Sequence, residues 1–282
     1  MLKSVLLLLG LAVAKGNPDA ELQRNGEFNR YYLYNRQILG EQLGFNTTSV
    51  NIIVGVTTVV IVHGHQGTYL TSLNPDLRRE LLKTENVNVI AVDWSIYAAM
   101  SYSLAENAVL SIGEHLATFL ANQEIYPATL HLIGFNLGAH IVGVAGRRLG
   151  GVARITGLDP SRSTIRLART DAYYVEVIHT DVSGISSNGL DVQLGHADFY
   201  PNGGSYQPGC WGGHDCSHNR AWMYLVASFR DNTFNANCCN TMLQKNWNTC
   251  RGTFLSMGNN VLMKFPCPSG IYRVNTRSSY PF

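Results

Sequence analysis

Residues 130–138 read LHLIGFNLG, an apolar run that leads into two glycines four positions apart. The run predicts a buried strand, and the residues from Leu137 to Leu149 predict a helix directly after it. Glycines on both sides of Asn136 permit a tight turn between these two elements. The spacing matches the G-x-S-x-G nucleophile elbow, with asparagine where that motif has serine.

The segments around this turn alternate between strand and helix patterns. Residues 57–62 and 87–92 are runs of β-branched and other apolar residues, which is typical of strands buried on both faces of a parallel sheet. From Ala105 to Asn122, apolar residues recur at the spacing of one helical face. The order predicts an α/β fold with a mainly parallel central sheet and helices on both faces, formed by one domain.

The composition excludes several classes of protein. The 282 residues are 45% hydrophobic and 14% charged, which is enough apolar material for a sizeable core. The formal net charge is +2 and the basic residues form no run, so nucleic acid is not an expected partner. Past the N-terminus, no apolar stretch approaches the roughly 20 residues that a membrane-spanning helix requires. A soluble mature protein is expected.

The N-terminus has the pattern of a secretory signal. It begins with the basic MLK, continues with an apolar run at residues 5–13 and ends in the small-residue triplet AVA. We expect a signal peptide at residues 1–14 and a single secreted domain at residues 15–282; a buried N-terminal strand or helix is the alternative. Export would also make the sequon at Asn46 available for glycosylation.

All six cysteines lie in the last third of the sequence, at Cys210, Cys216, Cys238, Cys239, Cys250 and Cys267. In an exported chain this number predicts three disulfides. A zinc site is the weaker alternative because no pair has C-x-x-C spacing. The neighbours Cys238 and Cys239 would be strained if bonded to each other. We expect them to pair with Cys250 and Cys267, and the sequence does not decide which goes with which.

Further motifs occur in order along the chain and, with the elbow, resemble a known family. They are Val62-His63-Gly64, Val92-Asp93-Trp94, Gly157-Leu158-Asp159-Pro160, Val177-Ile178-His179-Thr180-Asp181, Asp198-Phe199-Tyr200-Pro201-Asn202-Gly203-Gly204 and Cys216-Ser217-His218. From Arg30 to Phe282 the chain resembles the secreted neutral lipases of the pancreatic lipase type, especially their short insect and venom phospholipase A1 branch. The resemblance implies the α/β-hydrolase fold, without the family's second, β-sandwich domain and without a colipase-type partner.

The resemblance also implies roles for individual residues. Asp159 takes the place of the triad acid and His218 that of the triad base. The backbone N–H groups of His65 and Leu137 take the place of the oxyanion hole. Without the resemblance, Asp159 could be a turn residue. His218 begins a predicted helix of good apolar content at residues 221–229, where it could be a helix cap or a surface residue.

No metal site and no cofactor are expected. The nine histidines show no tight ligand spacing. His179 and Asp181 could suggest a second dyad or a metal pair, but we expect them to hold the edge of the sheet together, as this segment does in active relatives.

The resemblance further implies a lid. Cys210 and Cys216 would close a loop of only five residues, which is too short to cover a long-chain triglyceride site. In relatives, a short lid accompanies a preference for phospholipid. An uncovered apolar groove suggests a lipid or phospholipid ligand. Trp211 is a candidate contact with a membrane or lipoprotein surface, unless it packs inside the loop.

The departure from the family lies at Asn136. The serine mechanism requires a hydroxyl that a histidine deprotonates, and a carboxamide nitrogen is nearly non-basic and cannot replace it. The central residue of the elbow is expected at positive φ, where asparagine is enriched. A change of Asn136 to serine is therefore expected to lower stability slightly. Phe135, in place of the histidine usual in the family, is expected to crowd the site.

Two functions remain open. The first is a secreted lipase homologue without catalysis that serves as a lipid-binding, carrier or storage protein, comparable to the lipase-like yolk proteins of some insects. The second is an extracellular phospholipase A1 or triacylglycerol lipase that hydrolyses carboxylic esters. Asn136 favours the first, and the retained Asp159 and His218 favour the second.

Overall fold

The computed structural model describes residues 26–282 except 72, 212 and 232, so the predicted signal peptide lies outside the described residues. The strands are β1 Arg30–Tyr34, β2 Leu39–Gln42, β3 Thr58–Val62, β4 Asn88–Asp93, β5 Leu130–Phe135, β6 Arg154–Leu158, β7 Tyr174–Ile178, β8 Ala197–Pro201, β9 Asn235–Cys239, β10 Phe254–Ser256 and β11 Ile271–Val274. The helices are α1 Leu73–Thr84, α2 Ser95–Ala98, α3 Tyr102–Asn107, α4 Val109–Asn122, α5 Leu137–Leu149, α6 His214–Ser228 and α7 Met242–Trp247. The chain thus alternates strands and helices, as the sequence predicts.

The strands form one sheet in the order β10-β9-β11-β8-β7-β6-β5-β3-β4-β1-β2. The seven strands from β11 to β4 run parallel, whereas β1 and β2 at one end and β9 and β10 at the other pair antiparallel. The prediction of a mainly parallel sheet is confirmed.

Alternate side chains of the central strands enter two separate cores. In β3, Val60 and Val62 pack in the core that contains α4 and α5, whereas Val59 and Ile61 pack in the core that contains α1 and α6. Because the strands are buried on both faces, their sequences are nearly continuous apolar runs. Helices on both faces are therefore confirmed.

Two predicted helix boundaries are wrong. The helix expected over 105–122 is two helices, α3 and α4, separated by Ala108. Ala108 keeps helical dihedral angles (φ −81°, ψ −12°), so the apolar spacing continues across the break and hides it. Helix α6 begins at His214 rather than at His218; its first turn is polar and contains Asp215, which suits a helix N-terminus but lacks an apolar pattern. Within the described chain, no helix is long and apolar enough to cross a membrane.

Three disulfides join Cys210 to Cys216, Cys238 to Cys267 and Cys239 to Cys250. The predicted number is confirmed, and the open pairing is resolved. Cys238 and Cys239 are neighbours in β9, and successive side chains of a strand point to opposite faces. They therefore reach different partners.

Candidate active site

The turn between β5 and α5 has the geometry of a strained elbow. Asn136 has φ 59° and ψ −120°, which confirms the positive φ expected from the sequence. A Cβ on Gly134 would overlap the backbone of Gly138, and a Cβ on Gly138 would lie 2.5 Å from the carbonyl oxygens of Val62 and His63. Both glycines are required because β5, α5 and β3 approach each other closely at this point.

A third glycine, Gly64 of the Val62-His63-Gly64 motif, supports the same turn, a role that was not predicted from the sequence. A Cβ on Gly64 would lie 2.7 Å from the Cβ of Asn136. Gly64 is the second residue after β3, in the His-Gly pair of the motif. The motif therefore marked the position of this glycine in the sequence. Its missing side chain is what allows the segment around His65 to reach the elbow.

The predicted acid and base lie together at the carboxyl ends of the parallel strands. Asp159 directly follows β6, His218 lies in the second turn of α6, and His218 Nδ1 is 2.6 Å from Asp159 Oδ2. Both side chains are buried. Asp159 Oδ1 accepts hydrogen bonds from the backbone N–H groups of Thr180 (2.7 Å) and Asp181 (3.1 Å). These bonds fix the carboxylate with one oxygen directed at the imidazole.

The carboxamide of Asn136 contacts both the predicted base and the predicted oxyanion hole. The backbone N–H of His65 donates to Asn136 Oδ1 at 3.1 Å, and Asn136 Nδ2 lies 3.0 Å from His218 Nε2. A backbone N–H can only donate, so the oxygen of the amide must face His65. Nδ2 then donates to His218 Nε2, which leaves Nδ1–H of His218 to donate to Asp159. This is the tautomer that a serine triad uses.

The segment that carries His65 is held from several sides. His65 Nε2 lies 2.8 Å from the carbonyl oxygen of Met100, and the ring of His63 stacks on Trp94. The other predicted oxyanion donor, the N–H of Leu137, is the first of α5 and so has no acceptor within the helix. Both predicted donors thus adjoin Asn136, and the one at His65 is occupied by the Asn136 side chain.

Phe135 packs on the predicted base. Its ring centroid is 4.4 Å from that of His218, at an interplanar angle of 35°. The ring of Phe135 therefore supports the imidazole of His218 from the side. Its position is explained by this contact rather than by crowding of the site.

The loop closed by the disulfide between Cys210 and Cys216 is short. Trp211, at φ 48°, is 98% exposed, so the alternative that it packs inside the loop is wrong. Helix α6 already begins at His214, whose Nδ1 is 2.7 Å from Asp181 Oδ1. A histidine–carboxylate contact therefore ties the end of this short loop to the segment after β7.

His179 and Asp181 do not pair with each other. His179, which directly follows β7, has Nε2 2.9 Å from Oδ1 of Asp198, the second residue of β8, whereas Asp181 contacts His214. Both strands are interior strands of the sheet, so the expectation that His179 and Asp181 hold its edge together is wrong. Among the described residues no group of three potential metal ligands is close enough to hold an ion.

A cleft of about 520 Å³ opens beside Asn136 and His218. Its wall is mostly polar, with Leu73, Tyr102 and Phe135 among the apolar contributors. The predicted apolar groove is therefore wrong in character, because the loop after β3 and the first turns of α6 place amide, imidazole, hydroxyl and carboxylate groups on the wall. Large apolar side chains are exposed on the loops and on the short helices α2 and α3 at this end of the molecule: Leu70, Ile96, Met100, Leu104, Ile185 and Trp211.

The hydrogen bonds of Asn136 predict a stability effect. Asn136→Ser removes the bonds to His65 and His218 and places a residue that is less favourable at positive φ, so we expect a loss of about 1–2 kcal/mol in the free energy of unfolding. Asn248→Ser is the matched control, since Asn248 also has positive φ (56°) but is exposed. Its loss should be smaller in thermal melts. A clear rise in the melting temperature of Asn136→Ser would contradict this explanation.

A model of the lipase family matches residues 45–264. This chain belongs to the lipase family. Its sheet order, elbow and helices on both faces are those of the α/β-hydrolase fold. A solved structure that matches this chain is that of XC6422 from Xanthomonas campestris, described as an a/b serine hydrolase without lid. It is 11% identical, with a TM-score of 0.36, and the match covers 72% of this chain and 86% of that one.

Some curated relatives of this chain are named as lipases or lipase-related proteins, and others as inactive lipase-related proteins. Pancreatic lipase-related protein 2 of Cavia porcellus is 38% identical over 61% of this chain and 43% of its own length. Inactive pancreatic lipase-related protein 1 of Canis lupus familiaris is 40% identical over 54% of this chain and 36% of its own. Pancreatic triacylglycerol lipase of Myocastor coypus is 33% identical over 76% and 51%. Names of both kinds thus occur among the relatives, and the matched region spans about half or less of each relative's length.

Proposed function

We propose that this lipase-family protein does not hydrolyse esters and instead binds lipid or phospholipid as a carrier or storage protein. The observation that carries the proposal is the carboxamide of Asn136, which contacts the base His218 and fills the oxyanion position at His65. No hydroxyl is present to attack an ester. An ester carbonyl that entered the cleft would also have to displace Asn136 Oδ1 from the His65 N–H.

The loss of rate follows from this chemistry. Removal of a serine nucleophile costs about a million-fold in turnover, and the residual catalysis comes from the oxyanion hole and binding. Here one oxyanion donor is engaged as well, and a single donor is worth about 10²–10³ in kcat. The name of the Canis lupus familiaris relative, an inactive lipase-related protein, is consistent with such an outcome.

The exposed apolar residues at the end of the molecule that contains the cleft support binding of the protein to a lipid surface. Trp211 is 98% and Ile185 95% exposed, and both lie on loops at the carboxyl edge of the sheet. Exposed large apolar side chains in one region mark interaction sites. Trp prefers the level of the lipid headgroups, where its ring is partly buried and its N–H remains wet.

The same proposal includes secretion of this chain. It places a signal peptide at residues 1–14 and a single domain at residues 15–282. The three disulfides fit an oxidising compartment. Asn46 is exposed, as a glycosylated asparagine must be. The proposed function requires neither a colipase-type partner nor a cofactor.

Surface contact gives a specific prediction. Trp211→Ser and Ile185→Ser together should weaken binding to phosphatidylcholine vesicles by about tenfold or more, since each change removes up to 1.5–3 kcal/mol of apolar burial. Co-sedimentation with vesicles measures the effect. Val54→Ser is the control, because Val54 is 92% exposed but lies before β3, at the opposite edge of the sheet. Equal weakening by the control change would place the contact elsewhere.

The proposed function is tested by extraction of the native protein. Lipid extraction followed by mass spectrometry should recover intact lipid esters in fixed ratio to the protein. An empty cleft in every preparation would overturn lipid binding.

The second candidate is an active phospholipase A1 or triacylglycerol lipase, favoured by the intact contact of 2.6 Å between His218 and Asp159. Its test is turnover by the unaltered chain on phosphatidylcholine and on a short-chain activated ester. Turnover that disappears in His218→Ala would establish this candidate instead.

A further inference from the structure

A carbonyl group in the wall of the cleft is that of the Asn136 side chain. Asn136 Oδ1 lies 3.1 Å from the His65 N–H, which is the relation of a substrate carbonyl oxygen to an oxyanion hole. Asn136 Nδ2 lies 3.0 Å from His218 Nε2, which is the relation of a leaving amine to a catalytic histidine. The side chain thus occupies the position of an amide substrate.

We propose that Asn136 is a self-modification site, at which His218, Asp159 and the His65 N–H convert its carboxamide to a carboxylate. The nucleophile is water from the cleft, which Asn136 and His218 both line. This inference does not rest on lipid binding: a chain that binds no lipid can still convert Asn136, and one that binds lipid can fail to.

The step balances with water alone. The water oxygen attacks Cγ of Asn136 while His218 Nε2 takes one water proton, and the negative charge on Oδ1 is met by the His65 N–H. The bond between Cγ and Nδ2 then breaks, and His218 returns the proton to the departing nitrogen, which leaves as ammonia. The carboxylic acid that remains gives its proton to ammonia, so the products are an aspartate side chain at position 136 and ammonium.

The groups that the reaction needs are already in place. Asp159 holds His218 through Nδ1, so Nε2 carries no proton of its own. Its lone pair accepts from Asn136 Nδ2 and would turn to the water to act as base, then back to Nδ2 to act as acid. The ring of Phe135 at 4.4 Å restricts the imidazole from one side. Because Asn136 is fixed by the elbow, the carbonyl does not have to be brought to the donors by a binding event.

The product would change the cleft. A carboxylate beside His218 favours the protonated imidazole, and the charge at the end of the cleft falls by one. The converted chain would retain the fold, because the side chain keeps its size and Oδ1 keeps its donor at His65.

The experiment follows freshly purified native protein in water labelled with oxygen-18 at neutral pH. Peptide mapping by mass spectrometry should show one labelled oxygen entering the side chain of residue 136, and none at Asn248 over the same time. Asn248 is the internal control because it is exposed and also at positive φ (56°). His218→Gln should slow the conversion by about a hundredfold or more, the usual contribution of a general acid–base group.

Several outcomes would overturn the inference. Conversion at Asn248 as fast as at Asn136 would show ordinary solvent deamidation. An unchanged rate in His218→Gln, with folding verified by thermal melting, would remove the histidine from the reaction. Isoaspartate at position 136 would show attack by the Leu137 backbone nitrogen instead of water. No conversion in the native protein would exclude the reaction without recourse to any variant.

Discussion

Asn136→Ser should acquire hydrolysis of a short-chain activated ester, at least about a thousandfold above the unaltered chain. The variant supplies the missing hydroxyl to a histidine that already has the required tautomer and an acid partner at 2.6 Å. It also frees the His65 N–H, which Asn136 Oδ1 otherwise occupies. Both changes act on the transition state, so the gain should appear in kcat.

Two controls separate these effects. Asn136→Ala frees the His65 N–H without a hydroxyl and should remain close to background. Asn136→Ser combined with His218→Ala should lose the gain. Activity of Asn136→Ser no higher than that of Asn136→Ala would mean that the acid, base and oxyanion donors are not arranged for serine catalysis in this chain.

The largest stability effect is expected at Glu176, in the middle of β7. Glu176 is fully buried, and its two carboxylate oxygens lie 2.9 Å from Arg154 and 2.9 Å from Lys264. Burial alone would raise the pKa of Glu176, but the two cations outweigh it and lower the pKa. Glu176→Ala leaves Arg154 and Lys264 buried without a counter-charge, with only backbone carbonyl oxygens as hydrogen-bond partners. We therefore expect a loss of about 3–5 kcal/mol in the free energy of unfolding.

Denaturant unfolding with the disulfides intact measures this loss. Asp76→Ala is the matched control, because its partner Arg79 is half exposed and such pairs contribute about 1 kcal/mol or less. A loss at Glu176 no larger than at Asp76 would show that the network of Arg154, Glu176 and Lys264 does not join the sheet to the last third of the chain.

The elbow and the sheet were predictable because their causes are local. The strand before Gly134 is a continuous apolar run, and the two glycines around Asn136 reveal a turn that no larger residue permits. The positive φ of Asn136 followed from the same reasoning. The break at Ala108 was hidden because this residue stays in the helical region of the dihedral map.

The candidate site was predictable only in part. Asp159 and His218 came from a resemblance, since they lie 59 positions apart and no local pattern brings them together. The orientation of the Asn136 carboxamide depends on the His65 N–H, which is 71 positions away. The pairings of Cys238 and Cys239 depend on which face of β9 each side chain takes, and the Glu176 network depends on contacts across strands. Contacts between residues so far apart in the chain produce no recognisable pattern of residues in the sequence.

We propose that the chain binds a lipid ester at the carboxyl end of the sheet but does not split it, because the Asn136 carboxamide supplies no nucleophile. The most direct measurement incubates the unaltered protein with vesicles of radiolabelled phosphatidylcholine, recovers the protein and analyses the lipid bound to it and released from it. We predict intact phosphatidylcholine on the protein and no more free fatty acid than with His218→Ala. Free fatty acid released by the unaltered chain, and lost in His218→Ala, would contradict the claim.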